Sequence, residues 1–357
     1  MKAKSKGLFI ELSEYAILAA RTSSLQPPFT VETLVEFPAG LSEETGKELT
    51  QLTGLRKGGY VPVVSSAFPV NRFVRRASLD HPNKARDISY LNELLRSQFR
   101  IDPAANAVKV LESKTGRELD FNRTPSKEVL FAGAALDEWT SLQADLVANS
   151  LYPERLELGS LSILGGLANY LRFREDNRPV MSIELTADSA QVFILSSEGL
   201  DVSRPIPFGL RSMFPIVQEE LGLKDEQSAE KLFYSDTFDF TEMAPVLLKK
   251  LLREVQASAG FYEVQTGQTI SQLFLGHLPR SLSWIGSSFA RSLAVEILQP
   301  VYEEWIEHLG IQVDPEVELG NRGSRWFGLF SMMGDFRPSD PVSQSVATHA
   351  TANKEQG

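Results

Sequence analysis

Val180–Leu195 reads VMSIELTADSAQVFIL, and this stretch decides the fold. A β-rich run, Val180 to Leu185, breaks at Thr186-Ala187-Asp188-Ser189 and resumes at Gln191–Leu195, which is the pattern of a hairpin. Near the N-terminus Leu8–Arg21 reads LFIELSEYAILAAR. Ile10-Glu11-Leu12-Ser13 and Ile183-Glu184-Leu185-Thr186 are the same tetrapeptide up to one methyl group, about half a chain apart. A strand–turn–strand opening repeated at that distance predicts two lobes built on one plan.

The chain has 357 residues, 42% hydrophobic and 23% charged, enough for two globular domains of ordinary size. Its formal charge of −10 argues against a nucleic-acid partner, which would want a basic face. With no cysteine, disulfides, thiolate metal sites and a Cys nucleophile are excluded. The four histidines (His81, His277, His308, His349) lack ligand spacing, so no zinc site is expected. Ser23-Ser24 and Ser65-Ser66 have no base at fixed spacing, so nucleophilic catalysis has no support. The basic start, Met1 to Lys6, runs straight into a strand without an apolar h-region. The longest apolar run, Val129–Leu136, is far short of a membrane span, so a cytoplasmic protein is expected.

In order, the pattern predicts a hairpin at Leu8–Ala20, a strand at Thr30–Phe37, a helix at Glu43–Leu52, a basic-tipped loop at Gly54–Gly59 and a strand at Tyr60–Ala67. Asn71–Ala77 opens a different unit, with a helix at Asp87–Phe99 and strands at Ala107–Leu111 and Glu128–Ala135. A helix at Glu138–Asn149, a strand at Arg155–Leu158 and a helix at Ser160–Arg172 follow, before an interlobe connection at Phe173–Pro179. After the second hairpin come a strand at Ser203–Phe208, helices at Met213–Leu221 and Asp225–Leu232, and a long helix at Met243–Gln265. The last elements are Gln272–Leu275 (strand), Ser281–Leu293 (helix), Val295–Ile297 (strand) and Arg322–Met333 (helix). Ser339–Gly357 lacks bulky apolar side chains and is expected to be disordered.

Several stretches resemble the PilM-like proteins of type IV pilus assembly, actin-like relatives of the division protein FtsA. They are Arg204–Gly209 (RPIPFG), Glu219–Glu226 (EELGLKDE), Ala229–Leu232 (AEKL), Leu252–Gln265 (LREVQASAGFYEVQ) and Val129–Leu164, in the family's order. The resemblance implies an α/β, two-lobed actin/Hsp70-like (ribonuclease H-like) fold with an inserted subdomain of the FtsA/PilM type. The first lobe would be 7–70 plus 132–174, the insert 71–131, the second lobe 178–335, and the disordered tail 336–357. It also implies ATP between the lobes, each hairpin supplying an acidic residue on the metal side and a glycine turn whose backbone N–H groups reach the phosphates.

The chain departs from that pattern at all three loops. Glu11 and Ser13 stand where Asp and Gly are expected, Leu18 lies near the usual Lys, and Glu184 and Thr186 replace the second Asp and Gly. The third loop, Leu275-Gly276-His277-Leu278-Pro279, keeps one glycine, Gly276, and His277 reads there as a loop cap. The cofactor expectation is therefore no nucleotide, with Mg·ATP on Glu11, Ser13, Glu184, Thr186, Gly276 and His277 as the alternative. The expected function is an adaptor, a pseudo-ATPase peripheral to the inner membrane, with self-association left open. Its partner would be an inner-membrane pilus protein of the PilN kind, held through an extended N-terminal peptide. The wall of that groove is expected from Asn71, Arg72, Phe73 and Arg75 with Ile88, Leu91 and Leu95, the two arginines at its rim. An active ATPase or phosphotransferase, or a GspL-like type II secretion component, is the other expectation. The latter would carry a membrane helix after the ATPase fold, and none follows residue 335.

Overall fold

A computed structural model describes residues 6–54, 59–120, 127–320 and 322–334. Strand β1 (Gly7–Leu12) turns back into β2 (Ala16–Thr22), which pairs antiparallel with β3 (Thr30–Pro38). Helix α1 (Glu43–Leu52) starts at Ser42, whose hydroxyl accepts from the Thr45 N–H. Strand β4 (Val61–Ala67) then runs parallel to β1. The insert holds β5 (Phe73–Ser78), α2 (Ile88–Phe99, capped by Asp87), β6 (Asn106–Glu112) and β7 (Glu128–Ala135), in a sheet ordered β5-β7-β6. Helix α3 (Leu136–Ala148) leads to β8 (Leu151–Leu158), parallel to β4, and to α4 (Gly159–Phe173).

The second lobe repeats the first. Its meander is β9 (Val180–Leu185), β10 (Ala190–Ser196) and β11 (Gly199–Ile206), followed by helices α5 (Phe214–Glu220), α6 (Glu226–Tyr234), α7 (Ala244–Leu247) and α8 (Lys249–Thr266). Then β12 (Gln272–Phe274) runs parallel to β9, and β13 (Glu296–Ile297) parallel to β12 after α9 (Ser283–Leu293). The chain closes with α10 (Tyr302–His308), β14 (Gln312–Val313) and α11 (Phe327–Met333). The sheet orders are β14-β3-β2-β1-β4-β8 and β11-β10-β9-β12-β13, the same arrangement strand for strand apart from β14. The register repeats too: Glu11 faces Leu18 and Leu12 faces Ile17, as Glu184 faces Gln191 and Leu185 faces Ala190.

Helix α4 is apolar nearly all round because it is buried between the sheets. Its Ile163, Leu164, Leu167 and Leu171 share one core with Phe9 and Leu18 of the first sheet and Phe193, Leu195 and Phe274 of the second. Each such aliphatic side chain stabilises by about 1.5–3 kcal/mol on burial. That shared core is what aligns the two hairpin turns.

Several boundaries differ from the sequence expectation; among them, the strand expected at Ser203–Phe208 is β11, four residues earlier, and the helix expected from Arg322 begins at Phe327. The stretch from Tyr302 to Met333 was expected in the second lobe, but β14 pairs with β3 of the first sheet, and Tyr302, Trp305, Phe327 and Phe330 pack in the core that both lobes share, with Phe9, Leu167 and Phe274. The insert does not end at 131: β7 stays paired with β5 and β6 through Ala135, so the return begins at α3. The long helix divides at Leu248, with Pro245 in the first turn of α7, where its missing N–H is harmless, and Val246 is exposed. Strand β8 begins at Leu151, where Val61 N–H donates to the Ser150 carbonyl and opens the parallel ladder early. The expected tail from 336, and residues 55–58 of the basic loop, lie outside the described residues.

Candidate functional site

The two hairpin turns face one cleft, and both close on themselves. Ser13 N–H donates to the Ala16 carbonyl at 3.1 Å, and Ser13 Oγ accepts from the N–H groups of Tyr15 (3.3 Å) and Ala16 (3.1 Å). Thr186 N–H donates to the Ser189 carbonyl at 2.9 Å, and Thr186 Oγ1 accepts from Ser189 N–H at 3.0 Å. Serine and threonine favour such self-capped turns because the hydroxyl reaches its own backbone. A further turn N–H, that of Ala187, is met across the cleft by the Glu14 carboxylate at 3.2 and 3.4 Å. Behind the second turn, Gly209 lets the chain pass so close that a Cβ there would lie 2.2 Å from the Thr186 carbonyl oxygen.

Between the turns lies a buried polar cluster. The Arg72 guanidinium binds one Glu184 oxygen through Nε (3.2 Å) and Nη2 (3.0 Å), with both side chains nearly dry at 3% and 2% exposure. Ser160 Oγ donates to the same oxygen at 2.8 Å and accepts from Arg72 Nε. Arg72 Nη1 donates to the Pro69 carbonyl, and its guanidinium lies over the Phe68 ring, 5.4 Å from the centroid. His277 fills the remaining space, its ring centroid 4.7 Å from that of Phe68 and 5.8 Å from that of Tyr15. Tyr15 Oη donates to the Leu185 carbonyl at 3.1 Å, so the first turn is tied to the second lobe. Burial holds the His277 imidazole down to about 4, so it is neutral at physiological pH.

Glu11 lies beneath its turn, 1% exposed, with Oε2 unpaired. Gly328 of α11 makes room for it, since a Cβ there would lie 2.0 Å from that oxygen. Burial pushes the Glu11 carboxyl up to about 8; the Arg325 charge pulls the other way and the Glu184 charge adds to the rise. At neutral pH Glu11 is therefore mostly a neutral acid.

No protein-family model matches the chain, and no curated protein matches it. Among solved structures, the PilM-PilN type IV pilus biogenesis complex superposes with a TM-score of 0.66 at 16% identity, covering 92% of this chain and 97% of that one. With the duplicated sheet order, that match fixes the architecture. The chain has the actin-like ATPase fold. Weaker matches include an actin-like ATPase-fold protein of Bacteroides thetaiotaomicron (TM-score 0.43, 11% identity, 83% of this chain, 91% of that). Another is the cytoplasmic domain of EpsL, an inner-membrane component of the Vibrio cholerae type II secretion system (0.41, 12%, 96% and 95%).

An actin-like fold implies a nucleotide with a metal ion between the lobes, and the residues present here do not fit that group. The turn N–H groups of Tyr15, Ala16, Ala187 and Ser189 already have protein acceptors, one of them a carboxylate where phosphate oxygens would come. A carboxyl group must be ionised to hold a metal ion, whereas Glu11 keeps its proton and Glu184 is ion-paired to Arg72 through Oε2. Among the described residues no group of three or more His, Asp or Glu side chains could hold a metal.

The structure brings the cleft residues Glu11, Ser13, Glu184, Thr186 and His277 together, with Gly276 beside Ile163 and Phe274. It scatters the expected groove wall. Arg72 is not at a rim but in the cleft. Phe73, Leu91 and Leu95 point into the insert's own core with Val129 and Phe131, because the apolar face of α2 covers the insert sheet. Arg75 is half-buried and donates to the Val74 carbonyl, while Asn71 and Ile88 are exposed. Asn71 N–H binds the Glu138 carboxylate, joining the insert to α3. The exposed residues at this seam, Val70 (74%) and Leu136 (45%), were not singled out in the sequence, nor were Glu14, Tyr15, Phe68 and Ser160 in the cleft. A tyrosine inside a phosphate-loop position was the one sequence signal pointing to them.

Proposed function

We propose that this chain is a scaffold of a type IV pilus or related secretion assembly. It works at the cytoplasmic face of the inner membrane, binds an extended N-terminal peptide of a membrane partner, and does not turn over ATP. The observation that carries this is the likeness to the PilM-PilN complex over nearly the whole of both chains. The filled cleft supports the same reading, since it leaves the fold's usual chemistry without a site while the outer surface of the insert stays available.

The groove is placed at the seam between the insert and α3. Val70 and Leu136 lie beside the Asn71–Glu138 hydrogen bond, and Ile88 exposes a further apolar side chain on the insert. An extended segment gains affinity there from backbone hydrogen bonds and specificity from pockets for alternate side chains. The test is titration of a synthetic peptide, the cytoplasmic N-terminus of the inner-membrane pilus protein from the same organism, against wild type, Val70→Asp and Leu136→Asp. Both sites are exposed, so folding is expected to survive, as far-UV circular dichroism would check. Tenfold or greater loss of affinity in both variants is expected. Affinity equal to wild type in both would overturn the placement, and no binding to wild type would overturn the function.

A further inference from the structure

We propose that Arg72 is an internal substitute for nucleotide: it holds the two lobes closed by binding Glu184, so that closure of this fold needs no ligand. This deepens the ATP-free part of the function above and is independent of its partner peptide. Arg72 enters the cleft from the segment that opens the insert, after β4 of the first lobe, and Glu184 ends β9 of the second. The guanidinium makes four contacts there, two to Glu184, one to Ser160 and one to the Pro69 carbonyl, and its carbonyl accepts from Gln191 Nε2 at 3.2 Å.

Three further contacts cross the same cleft: Tyr15 Oη to the Leu185 carbonyl, Glu14 to the Ala187 N–H, and the His277 ring against Tyr15 and Phe68. They supply, in pieces, what a bound nucleotide supplies in one molecule. Glu14 is an anion on the second turn, Arg72 is a cation on the acidic residue, and a flat ring is packed between the lobes. The Arg72–Glu184 pair is charge-balanced and dry, and a planar fork that makes two contacts to one carboxylate oxygen is a geometry lysine cannot copy.

The test uses the full chain. Because it has no cysteine, Glu48→Cys on α1 and Gln256→Cys on α8, both exposed, give one spin label on each lobe. Labelled wild type should show a single narrow interlobe distance that millimolar Mg·ATP does not change, and no thermal shift with Mg·ATP. Arg72→Ala should broaden or lengthen that distance and lower the melting temperature, and ethylguanidinium at tens of millimolar should partly restore both in Arg72→Ala only. Arg72→Lys should fall short of wild type. An Mg·ATP-dependent change in wild-type distance or melting would overturn the proposal, as would an unchanged distance in Arg72→Ala. Should Arg72→Ala fail to fold, Ser160→Ala weakens the same cluster more gently and must then broaden the distance. Neither readout contains the membrane peptide, so failure of the peptide experiment and failure of this one are separable.

Discussion

Replacing Glu11 by glutamine tests whether its carboxyl is held neutral in the cleft. Its ordinary value is 4.5, and burial raises it to about 8 in the folded chain. A carboxyl with a raised value binds its proton more tightly folded than unfolded. Its contribution is complete below pH 4.5 and is lost as pH rises towards 8, beyond which both states are ionised. The slope approaches about 1.4 kcal/mol per pH unit inside that window, so between pH 6 and 8 wild type should lose roughly 2–3 kcal/mol from this group. Glu11→Gln keeps the shape beside Gly328 and cannot ionise, so it should remove that loss. The assay is urea unfolding followed by circular dichroism at pH 6, 7, 8 and 9, comparing midpoints at constant m. His277 works in the opposite sense, its value lowered from 6.5 to about 4, so its contribution fades as pH falls through that range; both proteins carry it, and it cancels in their comparison. Parallel pH profiles for wild type and Glu11→Gln between 6 and 8 would refute the assignment.

Two other substitutions follow from the same physics. Arg72→Met leaves the Glu184 carboxylate buried without its cation and should cost about 3–5 kcal/mol, whereas Arg72→Met with Glu184→Leu should recover most of it; denaturant midpoints of the two variants decide, and equal losses would count against the ion pair. Leu91→Asp puts a charge into the core formed with Phe73, Leu95 and Phe131, and should cost about 3 kcal/mol or more. It should therefore appear as protease sensitivity of the insert, not as a clean loss of partner binding.

The repeat of Ile-Glu-Leu was enough to predict two lobes on one plan, because a hairpin needs only local alternation and a turn, and both copies carry them; the actin-like class came from the resemblance of the later stretches. The self-capping of the turns was not read from the sequence, where Ser13 and Thr186 stood only as departures from glycine, although each has a hydroxyl within reach of its own backbone. The return of the C-terminal stretch to the first lobe was not readable. Trp305, Phe327 and Phe330 are apolar on every side, which predicts burial but not against which sheet, and the two residues of β14 are too short for any period. The α2 stripe had the same defect: Leu91 and Leu95 had to be covered, but the sequence does not say whether by a partner or by the insert's own strands. Arg72 sits in a run of basic residues that elsewhere would be solvated. Only the fold brings it to a carboxylate 112 positions away.

Several of the insert's bonds to the two lobes lie on one short stretch, Asn71–Val74. Asn71 ties it to α3 of the first lobe, Arg72 to Glu184 and Gln191 of the second, and the Val74 carbonyl accepts from Ser203 Oγ on β11. Ser113, after β6, is a second foot, its hydroxyl donating to the Leu200 carbonyl of β11 and its carbonyl accepting from the Leu200 N–H, and two separated feet constrain the insert's orientation as well as its position. Rotation of one lobe about the other must therefore drag the insert off at least one foot. Val70 lies two residues from the Arg72 foot, so a tug on anything docked at Val70 reaches both lobes through a few covalent bonds. Across the joint between two lobes, the insert is placed as a gusset plate is.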